Sequence, residues 1–275
     1  MTKPSKFSVL MSVYWKEDPR HLFECLDSLV KQTIPSDELI LVEDGPLSED
    51  LKFVIEEFRK PLRIQSIRLK KQSGLATALN TGLTYCRNEM IARMDSDDIC
   101  LPNRFELQLN FMQSHSDIAI CGGFIQEFKS GLDSSPRIRH LPLEHSELLK
   151  FAKKRCPLSH MSVMFRKSVI ESLGGYPNVI RAQDFALWTL AMVNGYKIAN
   201  IPHILVYART GENFFERRSM QAFIGEYHVF KFQRKINFLS TYEFWRNVVT
   251  RFIVRLAPAW MKKIMYRLVR KKLTS

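Results

Sequence analysis

No two cysteines of this chain stand as a C-x-x-C pair; Cys25, Cys86, Cys100, Cys121 and Cys156 are scattered and odd in number. That usage argues against a disulfide framework and a structural zinc site, and it fits a reducing compartment. Long apolar runs are also missing. No stretch approaches the roughly 20 uncharged apolar residues that a membrane-spanning helix needs. The first apolar run, Phe7 to Tyr14, is too short for a signal-peptide core, and Lys16-Glu17-Asp18 follow it at once, so no secretory signal is expected. Acidic side chains are in short supply: 28 Asp and Glu stand against 41 Lys and Arg, a formal net charge of +13. Such an excess implies an anionic partner, whether nucleic acid, a phosphorylated substrate or an anionic membrane surface. These features together predict a cytosolic protein that is not necessarily free in solution.

The 275 residues suit one large α/β domain, or one domain with a tail. Phe7 to Tyr14 reads as a buried strand, and Pro19 opens a helix with Leu22, Phe23, Leu26, Leu29 and Val30 on one face. Glu38 to Val42 is a second strand ending in Glu43-Asp44-Gly45-Pro46. A helix over Ser48 to Arg59 and a strand over Leu62 to Leu69 follow. Gly74 to Thr84 is helical, with Leu75, Leu79 and Leu83 four residues apart. Strand and helix thus alternate to about residue 110, the pattern of a parallel, doubly wound sheet.

The chemistry is concentrated in Ile91-Ala92-Arg93-Met94-Asp95-Ser96-Asp97-Asp98. The apolar run Met90 to Met94 enters it as a strand, and Leu101 to Phe105 leads out into a helix. The carboxylates therefore stand at the carboxyl end of a buried strand, where open α/β sheets bind ligands. Asp95 and Asp97 are two residues apart, which aims them to one face of a regular strand. Oxygen donors of this kind suit Mg²⁺ or Mn²⁺ bridging to phosphate. The competing reading is a solvated acidic turn that caps the next helix.

Beyond Asp117 the expected elements are a strand over Ile118 to Phe128, a polar turn over Ser130 to Pro136 and a helix over Glu144 to Lys154. A strand over Ser159 to Phe165 and a turn at Gly174-Gly175-Tyr176-Pro177 come next. A helix then begins near Ala182, with Asp184 in its first turn, and a strand over Ile198 to Tyr207 is broken by Pro202. Asp184 can be read simply as a carboxylate that complements the helix dipole.

From Lys231 to Ser275 there are twelve Lys or Arg and one acidic residue, Glu243. Phe244, Trp245, Val248, Val249, Phe252, Ile253 and Leu256 form an apolar stripe that resumes after Pro258. Two basic amphipathic helices joined at a proline predict a surface membrane anchor. The alternative is a helical pair packed on the core.

In order and spacing, these stretches resemble the family-2 glycosyltransferases of the GT-A fold, especially bacterial enzymes that build O-antigen or exopolysaccharide repeat units. The resemblance covers Lys6 to Phe215. It is carried by Ser12-Val13-Tyr14, Gln32-Thr33, Val42 to Gly45, Gly74-Leu75-Ala76 with Leu79 to Gly82, the acidic octapeptide with Pro102 and Arg104, and Gln183-Asp184. It implies a Rossmann-like α/β fold, with a mostly parallel central sheet, flanking helices and C-terminal basic amphipathic helices. Residues 1–215 would form the catalytic domain, with 1–115 the nucleotide-sugar half and 116–215 the acceptor half. Residues 216–275 would be the helical basic region.

The resemblance further implies that Ser12, Val13, Tyr14 and Asp44 hold the base and ribose, while Lys71, Gly74 and Asn80 lie near ribose or diphosphate. Asp95 and Ser96 would border the nucleotide sugar, with Asp95 and Asp97 holding Mn²⁺ or Mg²⁺. Asp184 becomes the base of an inverting transfer, although Gln183 replaces the usual acidic neighbour. His160, Arg209, Arg217 and Arg218 are candidates for contact with acceptor or phosphate, each with a plain structural alternative. The implied partners are a UDP-sugar donor, a lipid-linked saccharide acceptor and the inner membrane surface. A lipopolysaccharide core sugar or capsule chain is the other acceptor class. Nucleic acid is not expected, because the positive charge gathers in the tail while the core offers carboxylates.

Overall fold

The computed structural model describes residues 6–128, 137–210 and 220–256. Its first half follows the predicted alternation: β1 (Phe7–Val13), α1 (Pro19–Val30), β2 (Glu38–Glu43), α2 (Glu49–Arg59), β3 (Ile64–Arg68), α3 (Leu75–Tyr85) and β4 (Met90–Asp95). Helix α1 starts where it does because Pro19 fits the first turn and the Asp18 carboxylate accepts the Arg20 amide at 2.8 Å. Ser48 caps α2 in the same way.

Strands β3, β2, β1 and β4 pair in that order, all parallel. The chain therefore walks outward from β1 to β3 and returns through α3 to the other side of β1. Helices α1 and α2 pack on one face, with Leu26, Leu51 and Ile55 against Val9, Met11 and Leu41. Helix α3 packs on the opposite face, with Leu79 and Leu83 against Leu10 and Ile40. A β-carbon on Gly82 would sit 2.5 Å from Leu10 Cδ1, so this glycine lets α3 approach the sheet closely. The reversal beside β1 creates the crevice that a doubly wound sheet offers to a ligand.

Further along, β5 (Ile99–Cys100), α4 (Arg104–Ser114), β6 (Ile118–Phe128), β7 (Arg137–Arg139), α5 (His145–Ala152), β8 (Met164–Arg166), α6 (Lys167–Ser172), α7 (Gln183–Val193) and β9 (Lys197–Arg209) extend the same sheet and cover it. The order continues β4-β8-β6-β9-β5, with β8 antiparallel to both neighbours and β6 parallel to β9.

Two sequence expectations are corrected here. Residues Ser159 to Phe165 do not form one strand, because His160–Ser162 make a single 3₁₀ turn in which the Ser162 amide bonds Ser159 O at 2.9 Å. Pro202 does not break the ninth strand, which runs through 13 residues. The pairing jumps from Gly123↔Ile201 to Phe124↔Ile204, so the residue without an amide hydrogen sits in a bulge.

Helices α8 (Met220–Lys235) and α9 (Thr241–Leu256) close the described chain. Val229, Phe230, Phe238, Leu239 and Phe244 join the core cluster that contains Trp188 and Phe165. The predicted stripe of α9 is thereby split. Phe244 and Val248 pack inward, whereas Trp245, Val249, Phe252 and Ile253 stay exposed. The continuation after Pro258 lies outside the described residues.

Candidate active site

Register places the ends of three strands side by side. Ser12 of β1 is aligned with Val42 of β2 on one side and with Asp95 of β4 on the other. A cleft of about 390 Å³ opens over these ends, lined by Ser12, Tyr14, Glu17, Asp44, Gln72, Gly74, Leu75, Asp95, Ser96 and Asp97. Ser12, Tyr14, Asp44, Gly74, Asp95, Ser96 and Asp97 were all singled out by sequence, and they converge here. Val13 is buried beside them, its carbonyl accepting the Asp44 amide at 2.8 Å. Lys71 is exposed next to Gln72 on the rim.

The Asp44 carboxylate takes the Ser73 amide at 2.6 Å and the Gly74 amide at 3.0 Å. It thereby fixes the segment that begins α3 to the end of β2. Gly45, at φ +92°, allows the tight approach: a β-carbon there would lie 2.8 Å from the Gln72 amide nitrogen. Asn80 is not at the cleft. Its side-chain amide donates to Tyr176 O at 3.0 Å and accepts the Tyr176 amide at 2.7 Å.

The acidic loop is held from several sides. Ser96 Oγ donates to Glu17 at 2.8 Å, and Asp98 accepts the Arg209 amide at 2.7 Å. Arg209 Nε donates to the Asp97 carbonyl at 3.0 Å, while its guanidinium pairs with Glu24 and stacks 4.7 Å from the Phe128 ring. Arg209 thus braces the acidic loop with the group that the sequence reading offered to phosphate. Arg217 and Arg218 lie outside the described residues.

Beneath the loop Arg93, buried to 1 % exposure, pairs with Asp95, yet its Nε and Nη1 have no hydrogen-bond partner. Arg104, fully buried, donates to Arg93 O at 2.7 Å and to Val163 O at 3.2 Å, tying β4 to the segment before β8.

The charge balance is strained toward the negative. Burial, reinforced by the Asp97 and Asp95 charges, pushes Glu17 up to about 7 despite its bond from Ser96. Asp97 is raised by burial and by Asp95, and Asp98 is raised well above the carboxylate range by burial and both neighbours. Asp95 and Asp97 offer carboxylate oxygens whose mutual repulsion a divalent cation would relieve. Among the described residues no three His, Cys, Asp or Glu converge on a metal position. Two carboxylates are the kind of donor set that Mg²⁺ or Mn²⁺ takes, the shell being completed by phosphate and water.

On the α3 face of the sheet stands the second carboxylate group. Asp184 occupies the first turn of α7, behind Ala182 in the left-handed region at φ +54°. Its carboxyl is raised by burial, and the Cys156 thiol lies 3.6 Å away. His160 Nε2 and the Tyr176 hydroxyl are 3.0 Å apart, and the His160 ring packs against Trp188. Burial, then the Arg93 charge, pull His160 well below its ordinary range, so it stays neutral. Burial pushes the Tyr176 phenol up, with the Arg93 charge opposing and the Asp184 and Asp95 charges adding to it. His160 thus joins Tyr176 to Trp188, which stands one helical turn after Asp184 on α7.

Glu17, Arg93, Cys156 and Tyr176 were not assigned a role from sequence. Only Arg93 carried a signal there, as a cation inside an otherwise apolar strand.

Residues 8–174 match the family model described as glycosyl transferase family 2. The chain is 40% identical over 263 residues to an uncharacterized glycosyltransferase of Haemophilus influenzae, covering 95% of this chain and 98% of that protein. It is 36% identical over 266 residues to the amylovoran biosynthesis glycosyltransferase AmsE of Erwinia amylovora, covering 96% and 99%. It is also 36% identical over 269 residues to the UDP-Gal:alpha-D-GlcNAc-diphosphoundecaprenol beta-1,3-galactosyltransferase of Escherichia coli, covering 96% of each.

The fold is shared with solved structures. Residues 1–349 of S. aureus TarS in complex with UDP-GlcNAc superpose with a TM-score of 0.68 at 19% identity, covering 91% of this chain and 72% of that one. The mannosyltransferase PcManGT of Pyrobaculum calidifontis, in complex with GDP-Man and Mn²⁺, gives 0.64 at 17% identity, covering 94% and 72%. With its GT-A-like α/β sheet and its near-full-length relatives, the chain belongs to glycosyl transferase family 2 and is a glycosyltransferase.

Proposed function

We propose that this enzyme moves a hexose, galactose, from a UDP-sugar to a lipid-diphosphate-linked sugar, GlcNAc-diphospho-undecaprenol, with inversion at the anomeric carbon. The product would be a repeat-unit intermediate of O-antigen or exopolysaccharide. The observation that carries this reading is the cleft over the ends of β1, β2 and β4, where Ser12, Asp44, Asp95 and Asp97 converge. The near-full-length similarity to the E. coli galactosyltransferase supports the choice of donor and acceptor.

In this reading Ser12, Val13, Tyr14 and Asp44 border the base and ribose, with Lys71 and Gly74 beside them. Asp95 and Asp97 would hold Mn²⁺ or Mg²⁺, which neutralises charge on the departing diphosphate. The Asp184 carboxylate takes the proton of the acceptor hydroxyl as that oxygen attacks C1 of the donor sugar. The new C1–O bond forms opposite the breaking bond to phosphate, UDP leaves with the bonding pair, and an α-linked donor gives a β-glycoside. No covalent enzyme intermediate is required. Burial raises Asp184, which makes it a stronger base once ionised.

The acceptor's lipid places the enzyme on the inner membrane surface. Helix α9 turns Tyr242, Trp245, Val249, Phe252 and Ile253 outward, and residues 257–275 carry six Lys or Arg and no acid. An exposed aromatic and aliphatic stripe beside a basic segment suits an anionic bilayer. No helix among the described residues is long and apolar enough to cross a membrane, so the association proposed is peripheral.

The test is the anomeric configuration of the product formed from UDP-galactose and a synthetic lipid-diphosphate N-acetylglucosamine. A β-linked disaccharide, read from its proton coupling, is expected. An α-linked product would overturn the inverting mechanism, and transfer only to lipopolysaccharide core or capsule chains would overturn the acceptor.

A further inference from the structure

Asn80 carries a motif position for which the sequence suggested nucleotide contact, but its amide is already committed. Both ends of the carboxamide are satisfied by the backbone of Tyr176, 96 residues away, through bonds of 3.0 and 2.7 Å. The partner segment is shaped to receive them. Helix α6 is followed by Gly174 and Gly175, both at positive φ, whose amides return to Glu171 O and Ile170 O at 2.9 Å each. A β-carbon on Gly175 would collide with Asn80 Oδ1, so the close approach requires glycine. The clasp fixes the Tyr176 side chain, 2 % exposed, with its hydroxyl 3.0 Å from His160 Nε2, and the His160 ring packs against Trp188, one turn after Asp184. The same helix α3 begins at the segment that Asp44 grips. A single rigid element therefore connects the nucleotide end of the cleft to Tyr176.

We infer that Asn80 is a positioning residue: it holds Tyr176, and through Tyr176 the His160 ring, against the start of the helix that carries Asp184, and it does not bind the nucleotide. This rests on the reading of Asp184 as the base of the transfer. Loss of the clasp frees Tyr176 and His160 and misplaces the acceptor relative to C1, which costs rate at saturating donor while leaving the base and ribose contacts in place.

The experiment uses the full chain with Asn80→Ala, Tyr176→Phe and the double variant. UDP affinity is measured by calorimetry in the presence of Mn²⁺, and kcat and acceptor KM by acceptor-dependent UDP release. Asn80→Ala is expected to keep UDP affinity within about twofold and to lose at least about tenfold in kcat. Tyr176→Phe, which keeps the ring and the backbone clasp, should lose several-fold in kcat with UDP affinity unchanged, and the double variant should be no worse than Asn80→Ala. A tenfold or greater weakening of UDP by Asn80→Ala, or an unchanged kcat, overturns the inference. Should Asn80→Ala fail to fold, Tyr176→Phe decides alone, and an unchanged kcat in it overturns the inference. Asp184→Asn in the same assays separates the two layers. If it stays active, the underlying reading fails; if it is dead while Asn80→Ala is unaffected, only the clasp fails.

Discussion

The Cys156 thiol lies 3.6 Å from the Asp184 carboxylate and 3.2 Å from Leu158 O, and burial, then the Asp184 charge, raise it so far that it remains an S–H donor. The carboxylate in turn is raised by burial. As the proposed base, Asp184 must be ionised to accept a proton, so turnover is expected to fall as pH drops through its elevated pKa. The acid limb of kcat/KM should therefore lie above the ordinary carboxylate range. Asp184→Asn should lose transfer by several orders of magnitude while still binding UDP, and Cys156→Ala should cost less than about tenfold. A mild effect of Asp184→Asn in a pH-rate series would point to another base.

Glu17 predicts how stability responds to pH. Its folded pKa of about 7 stands above the ordinary 4.5, so between these values the folded chain holds a proton that the unfolded chain has released. Stability then falls as pH rises through that window. Metal-free wild type should melt lower at pH 8 than at pH 5, and Glu17→Gln should show a smaller drop. Parallel melting curves for the two proteins across pH would contradict the placement of Glu17.

On the proposed reading Asp97 links the acidic loop to a divalent ion. Cation binding needs ionised carboxylates, so Mn²⁺ should raise the melting temperature more at pH 8 than at pH 5. Asp97→Ala should abolish both that shift and turnover without unfolding the protein. A Mn²⁺ shift retained in Asp97→Ala would place the ion elsewhere.

Gly82 tests the packing that carries α3 across the sheet. Its hypothetical β-carbon meets Leu10 Cδ1 at 2.5 Å and Val42 Cγ2 at 2.7 Å. Gly82→Ala should destabilise by about 1–3 kcal/mol through overpacking, read as a shift in denaturant midpoint. Unchanged or increased stability would mean that α3 sits farther from β1 and β2.

Much of the first half was legible because its strands are buried on both faces. Val9 to Met11 and Leu39 to Val42 are apolar runs without alternation, as a covered parallel sheet requires. Asp44 and Asp95 to Asp97 follow from strand ends, and sequence locates those. What sequence missed depends on partners far along the chain. Asn80 finds Tyr176 and Arg209 finds Asp98, contacts over 96 and 111 residues that no local pattern records. Glu17 gained its role from burial beside Ser96, which follows from loop geometry. The α9 stripe divided between two environments. Its i, i+1, i+4, i+5 spacing is wide enough to serve two faces, and tertiary packing took Phe244 and Val248 while leaving Trp245 and Val249 outside.

The most direct measurement is UDP release from a panel of UDP-sugars with Mn²⁺ and a synthetic lipid-diphosphate N-acetylglucosamine. The account predicts release from UDP-galactose that requires acceptor, stops with EDTA and is absent in Asp97→Ala. Release that persists in EDTA, or that proceeds equally without acceptor, would contradict metal-assisted transfer to the lipid-linked sugar.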